Sequence, residues 1–97
     1  MEEKRFEVVF SPAAQREIER LEADEAIQLA KDIKKYLETS PFPFGKTRIK
    51  KLTGFYPPLY RLRSGDFRAY YRIANKEAII LAIGSKKDSE KILKKLR

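Results

Sequence analysis

The chain has 97 residues, no cysteine, no histidine and a formal net charge of +8. Such a length makes one domain, 1–97, that buries roughly 65% of its unfolded surface, enough for a core without staples. The missing residue types exclude disulfides, thiolate chemistry, the usual zinc sites and any nucleophile activated by histidine. Proton transfer would fall to Lys, Arg, Tyr, Asp or Glu.

The charge is segregated. Residues 1–45 carry seven basic and ten acidic side chains, whereas residues 46–72 carry eight basic and one acidic. Residues 73–84 balance, and residues 85–97 carry six basic and two acidic. Solubility alone would not require this distribution, which is the footprint of a polyanionic partner.

The opening MEEKRFEVVF is too short and too charged for a signal peptide, and no run approaches a membrane span. A soluble cytoplasmic protein with no membrane partner is the expectation. Lys4 to Phe10 alternates as a first strand, with Phe6, Val8 and Phe10 on one side. Ser11 is a good N-cap and Pro12 a good first helical residue, and Ala13, Ala14, Ile18 and Leu21 mark the buried stripe. Asp24 is a candidate N-cap for a second helix through about Thr39, with Ile27, Leu29, Ile33, Tyr36 and Leu37 in its apolar face. The spacing fits either an antiparallel pair or one bent helix.

Pro41 and Pro43 end the helical region. Lys46 to Lys51, KTRIKK, reads as a basic loop or edge segment. Charge runs are usually solvated surface, but this one adjoins a second basic feature, which favours Lys46, Arg48, Lys50 and Lys51 as phosphate contacts. Beyond Asn75-Lys76, Ala78 to Ile83 is a continuous apolar run, as in a central strand buried on both faces. Ser85 is placed to cap a short helix from Lys86 to Leu96 that docks through Ile92, Leu93 and Leu96.

That second feature is Leu59 to Ile73, LYRLRSGDFRAYYRI, which alternates as two strands around Ser64-Gly65-Asp66. With Gly65-Asp66 as the loop, Arg63 opposes Arg68 and Arg61 opposes Tyr70; with Ser64-Gly65, Arg61 opposes Arg68. Both registers put Tyr60, Leu62, Phe67, Ala69 and Tyr71 on one side and Arg61, Arg63, Arg68, Tyr70 and Arg72 on the other. Arginines are common on exposed strands, but like charges across a ladder are destabilising, and only Asp66 is there to offset four of them. The face reads as a polyanion site, with Tyr70 as a flat surface for a base. The fold expected is α+β, ordered β-α-α-β-β-β-α. It has a four-stranded, mainly antiparallel sheet, a helical hairpin on one face and a partly open, shallow concavity on the other.

The stretch YRLRSGDFRAYYRI at 60–73, with Lys50-Lys51-Leu52-Thr53-Gly54 before it and Ile83-Gly84-Ser85-Lys86-Lys87 after it, resembles the RelE/ParE toxin superfamily of toxin–antitoxin systems. The resemblance spans nearly the whole chain. It implies either a RelE-like endoribonuclease, which cuts mRNA in the ribosomal A site using the message's own 2′-hydroxyl, or a ParE-like inhibitor of DNA gyrase. The compact length and the arginine-rich hairpin look more like RelE. By that resemblance the transition-state arginine falls on Arg68, a second catalytic cation on Arg61 and a third on Lys86. Lys46, Arg48, Lys50, Lys51, Arg63, Tyr70, Arg72 and Lys87 would hold RNA.

Two positions depart from the family pattern. Leu59 stands where a further basic residue is usual, and Ile92 where a tyrosine is. The second supports an alternative, a relative that binds RNA or antitoxin with little cleavage. The resemblance also implies a cognate antitoxin, a toxin–antitoxin hetero-oligomer, and neither metal nor cofactor. A lysine among cations is the natural base without histidine, here Lys86 or Lys50.

Overall fold

The computed structural model describes residues 4–45 and 48–97. Strand β1, Glu7–Phe10, ends where Ser11 turns the chain into helix α1, Pro12–Glu19. The Ser11 hydroxyl accepts from Ala14 N at 3.1 Å and donates to the Leu81 carbonyl at 3.2 Å, so one side chain caps the helix and ties it to the sheet. Helix α2 runs Ala23–Leu37, and the break before it makes two helices rather than one bent one. Its cap position is Glu22, not Asp24, and no side chain caps it. Asp24 and Glu25 lie in the first turn instead, where a carboxylate favours the helix dipole.

The sheet has five strands, not four, in the order β1-β5-β4-β3-β2. Strand β2 is Ile49–Leu52, β3 Leu59–Ser64, β4 Phe67–Ala74 and β5 Glu77–Ser85. The additional strand, β2, comes from the basic run. Two lysines between two apolar residues, over only four positions, leave too little alternation to announce it. Strand β1 pairs with β5 in parallel, and the other pairings are antiparallel.

Gly65 takes φ +58, so Gly65-Asp66 is the hairpin loop and Arg63 opposes Arg68. The next loop has positive φ at both Asn75 (49°) and Lys76 (67°), the sign pattern of a type I′ turn. Tyr70 pairs with Ala82 but Tyr71 with Ile80, leaving Leu81 as a bulge. The bulge explains the unbroken run AIILAI. Strand β5 is interior but not central, and its extra residue, rather than burial on both faces throughout, interrupts the alternation.

Helices α1 and α2 cover one face, packing Ala14, Ile18, Leu29, Ile33 and Leu37 on Ile49, Tyr60, Leu62, Ala69, Tyr71, Ala78 and Ile80. The Tyr60 and Tyr71 rings stack at 5.6 Å, and the Tyr71 hydroxyl donates to the Pro41 carbonyl at 2.7 Å. Past the end of β1, Glu17 accepts from Ile83 N at 2.7 Å, so α1 takes over the hydrogen bonding of the β5 edge. On the other face, a 3₁₀ turn at Lys86–Asp88 leads into α3, Ser89–Leu96. Its Ile92, Leu93 and Leu96 pack on Leu59, Tyr70 and Ala82, the contact face that the sequence spacing predicts. A Cβ at position 84 would collide with Ile92 Cδ1, so glycine there lets α3 lie close. The second face is thus partly open, as expected, with α3 roofing the half around Leu59, Tyr70 and Ala82. Among the described residues, no helix is long and apolar enough to cross a membrane.

Two stability outcomes follow from this geometry. Lys76→Gly removes a side chain from a left-handed backbone position and should stabilise by about 1 kcal/mol, read from urea unfolding midpoints at unchanged slope. Tyr71→Phe leaves the buried Pro41 carbonyl unpaired and should cost about 1–3 kcal/mol in the same measurement.

Candidate nucleic-acid interface

Pairing across β2, β3 and β4 sets the site in rows. Lys50 lies opposite Arg61, and Arg61 opposite Tyr70; one row nearer the turn, Arg63 lies opposite Arg68. Residues two apart on a strand share a face, so Lys50, Arg61, Arg63, Arg68, Tyr70 and Arg72 all belong to the face that α1 and α2 leave uncovered. Among the described residues, none of these cations is ion-paired, since the only salt bridges tie Lys4 to Glu7 and Glu38.

The individual settings differ. Arg63 is exposed, and Arg61 and Arg72 are half-buried, each with an enclosed Nε that has no hydrogen-bond partner among the described residues. Arg68 is only 7% exposed. Its Nη1 donates to the Gly65 and Phe67 carbonyls at 3.0 and 2.9 Å, which clamps the guanidinium to the hairpin turn. No hydrogen bond within the described residues uses its other two nitrogens. Burial, then the neighbouring Arg61 and Arg63, lower the Arg68 pKa from its ordinary value. The turn itself is pinned from behind, where Ser64 Oγ donates to Asp32 of α2 at 2.6 Å. Asp32 carries no signal in the sequence that would single it out for this contact.

Lys86 and Lys87 are exposed just beyond β5. The Lys86 backbone donates to the Asp66 carbonyl at 2.8 Å, which holds it beside the hairpin turn. With Asp66, Ser85 and Lys87 it lines a cleft of about 480 Å³. Lys86 follows β5 directly, two residues past Gly84, the residue opposite Arg68. The structure thus brings Arg61, Arg63, Arg68, Lys50 and Lys86 to one end of one face.

Other expected contacts lie elsewhere. Tyr70 is on the predicted face but fully buried beneath α3, so its ring is no surface for a base. Its apolar row partner Ala82 and the docked Leu93 and Leu96 make it part of a second small core. Lys51 pairs with Tyr60 and belongs to the opposite face, although its side chain is exposed. The Arg48 guanidinium lies 5.4 Å from the Tyr36 ring of α2, away from the arginine row. Lys46 falls outside the described residues. Among those described, no group of three acidic side chains could hold a metal ion.

Residues 8–90 match the family described as the ParE toxin of type II toxin–antitoxin systems, and the chain belongs to that family, within the RelE/ParE superfamily. It is a type II toxin by that membership. Solved structures agree on the fold. The archaeal RelE–RelB complex of Pyrococcus horikoshii matches at 25% identity and TM-score 0.69, covering 84% of this chain and 96% of that one. The intact RelBE complex of E. coli matches at 26% and 0.63, covering 82% and 95%. The RelBE2 complex of Mycobacterium tuberculosis matches at 21% and 0.73, covering 88% and 95%. No curated protein sequence gives a significant match.

The Tyr70 hydroxyl is buried with no partner among the described residues. Tyr70→Phe should therefore be neutral or stabilising at neutral pH, by up to about 1 kcal/mol in urea unfolding. Burial raises the pKa of both Tyr70 and Tyr71 above the ordinary 10.0, with Arg61 and Arg68 opposing the rise at Tyr70. Above pH 10 the unfolded chain loses tyrosine protons that the fold retains. The stability these groups contribute is complete below that pH and falls as pH rises through it. Tyr70→Phe should make the alkaline fall shallower, measured by unfolding midpoints on either side of pH 10.

Proposed function

We propose that this toxin is a ribosome-dependent endoribonuclease that cuts messenger RNA through the message's own 2′-hydroxyl. The observation that carries the reading is the set of hairpin guanidiniums on one face, unpaired by any carboxylate of the described residues. A stable fold does not need this arrangement, and a scissile phosphate does.

The chemistry has three demands. The 2′-hydroxyl gives up its proton and its oxygen bonds to phosphorus; the phosphorane carries extra negative charge; the bond from phosphorus to the 5′-oxygen breaks and that oxygen takes a proton. Arg61 and Arg68 donate to the non-bridging oxygens, with fork geometry suited to a phosphate. The clamp on Arg68 Nη1 fixes that fork before substrate arrives, which is where most of the value of such donors lies. Lys50, opposite Arg61, and Lys86, beside the turn, are the amines in reach of the attacking hydroxyl. This equipment is sparse for acid–base work and suits an enzyme whose substrate is posed by a larger machine, here the ribosome with mRNA in its A site.

A cognate antitoxin is the second partner. Its chemistry should mirror the basic face, an amphipathic segment with acidic residues laid across Arg61, Arg63 and Lys86. A gyrase-directed toxin is the competing reading, favoured by the ParE description of the matched family.

In a translating extract the parent should generate new message ends. Arg68→Lys keeps the charge but loses the fork and its two bonds to the turn, so it should lower the unfolding midpoint somewhat and cut cleavage by about 100-fold or more at a temperature where the variant remains folded. Arg61→Ala should behave similarly. Intact messages with the parent chain, together with inhibited supercoiling by gyrase, would establish the competing reading instead.

A further inference from the structure

At the end of the arginine face away from the hairpin turn, the segment between β2 and β3 meets the last turn of α3. Gly54, Phe55, Tyr56, Arg72, Leu96 and Arg97 line a cleft there of about 210 Å³. Tyr56 is 95% exposed, far beyond Val9, Ile27 or Phe44. The Arg97 guanidinium sits 5.1 Å from the Phe55 ring centroid. Arg72 contributes the enclosed Nε that has no partner among the described residues. Among the described residues, no aspartate or glutamate side chain lines the cleft.

We propose that this cleft is a nucleotide subsite, in which a base stacks on Tyr56 and the adjoining phosphate is held by Arg72 and Arg97. The inference rests on the reading of the hairpin face as an RNA surface, and it names where a flanking nucleotide goes. A lone exposed aromatic needs no explanation by itself. This one shares a small cleft with two guanidiniums, one of them carrying a buried donor with no acceptor among the described residues, and such a donor is costly unless an anion completes it. A flat ring beside paired cations is the recognition chemistry of single-stranded nucleic acid, where each stacked base adds about 1–3 kcal/mol.

Position supports the same occupant. Arg72 shares its face and its strand with Arg68, four residues away, or about 13 Å along an extended chain. A single strand with its scissile phosphate at Arg61 and Arg68 would reach Tyr56 by passing around the α3 roof over Leu59 and Tyr70 rather than straight along β4. The stacking role that Tyr70 cannot play, being buried, thereby falls to an aromatic residue outside the hairpin.

The test uses the full chain in an Arg68→Lys background, with a short labelled oligouridylate as probe and binding read by fluorescence anisotropy across salt concentrations. Tyr56→Ala should weaken binding about tenfold without changing the salt slope, and Tyr56→Trp should restore it. Arg72→Gln and Arg97→Gln should each lower the salt slope by about one unit. Full-strength RNA binding by Tyr56→Ala overturns the subsite, as does a Tyr56→Trp chain no better than Tyr56→Ala. Loss of affinity for an acidic, antitoxin-like peptide with RNA affinity intact also overturns it, assigning Tyr56 to a protein contact. The nuclease reading fails separately. If Tyr56→Ala loses RNA affinity but the unmutated chain never cuts message on the ribosome, the subsite stands and the cleavage chemistry does not.

Discussion

The period-two parity of the β3–β4 hairpin governs both the core and the site. Tyr60, Leu62, Ala69 and Tyr71 are buried under α1 and α2. Once they are, Arg61, Arg63, Arg68 and Arg72 have no choice but the other face. The balance of magnitudes shows why the arrangement holds. Fully burying a large apolar side chain contributes about 1.5–3 kcal/mol, whereas a like-charged pair across a ladder costs roughly 1 kcal/mol or less. The buried side of the hairpin therefore dictates the register, and the arginines accept the repulsion that comes with it.

The second face is divided rather than open. Helix α3 roofs Leu59, Tyr70 and Ala82 with three apolar residues, and glycine at 84 allows its close approach. What remains uncovered is a charged half toward the hairpin turn and a small cleft beyond the roof. Tyr70 sits at the seam, its ring in the dry half and its hydroxyl within the electrostatic reach of Arg61 and Arg68. A residue type that suggests stacking on nucleic acid is here a piece of core, which shifts the search for aromatic contacts to the rim.

The fold does not choose between a nuclease and a gyrase inhibitor. The matched family is described by its ParE member, and the similar solved structures include RelE toxins. One scaffold can carry different functions, so the choice rests on the chemistry of the site and not on the architecture. The hairpin cations, one of them clamped by backbone carbonyls at the turn, are what favour phosphate chemistry here.

The residues alone determined the helices, the hairpin with its two faces, the segregation of charge and the superfamily, because each is written in local periodicity, in turn residues or in a contiguous motif. Ser11-Pro12 announced α1, and Gly65 announced the turn. Only tertiary structure decided the rest. Strand β2 is four residues long and has no pattern of its own; it exists because β3 presents an edge to pair with. The burial of Tyr70 depends on a helix more than fifteen residues away in the chain. The Ser64–Asp32 contact and the meeting of Tyr56 with Arg72 and Arg97 likewise join segments distant in sequence. Such contacts follow from how layers pack, and packing geometry leaves no periodic trace in a single chain.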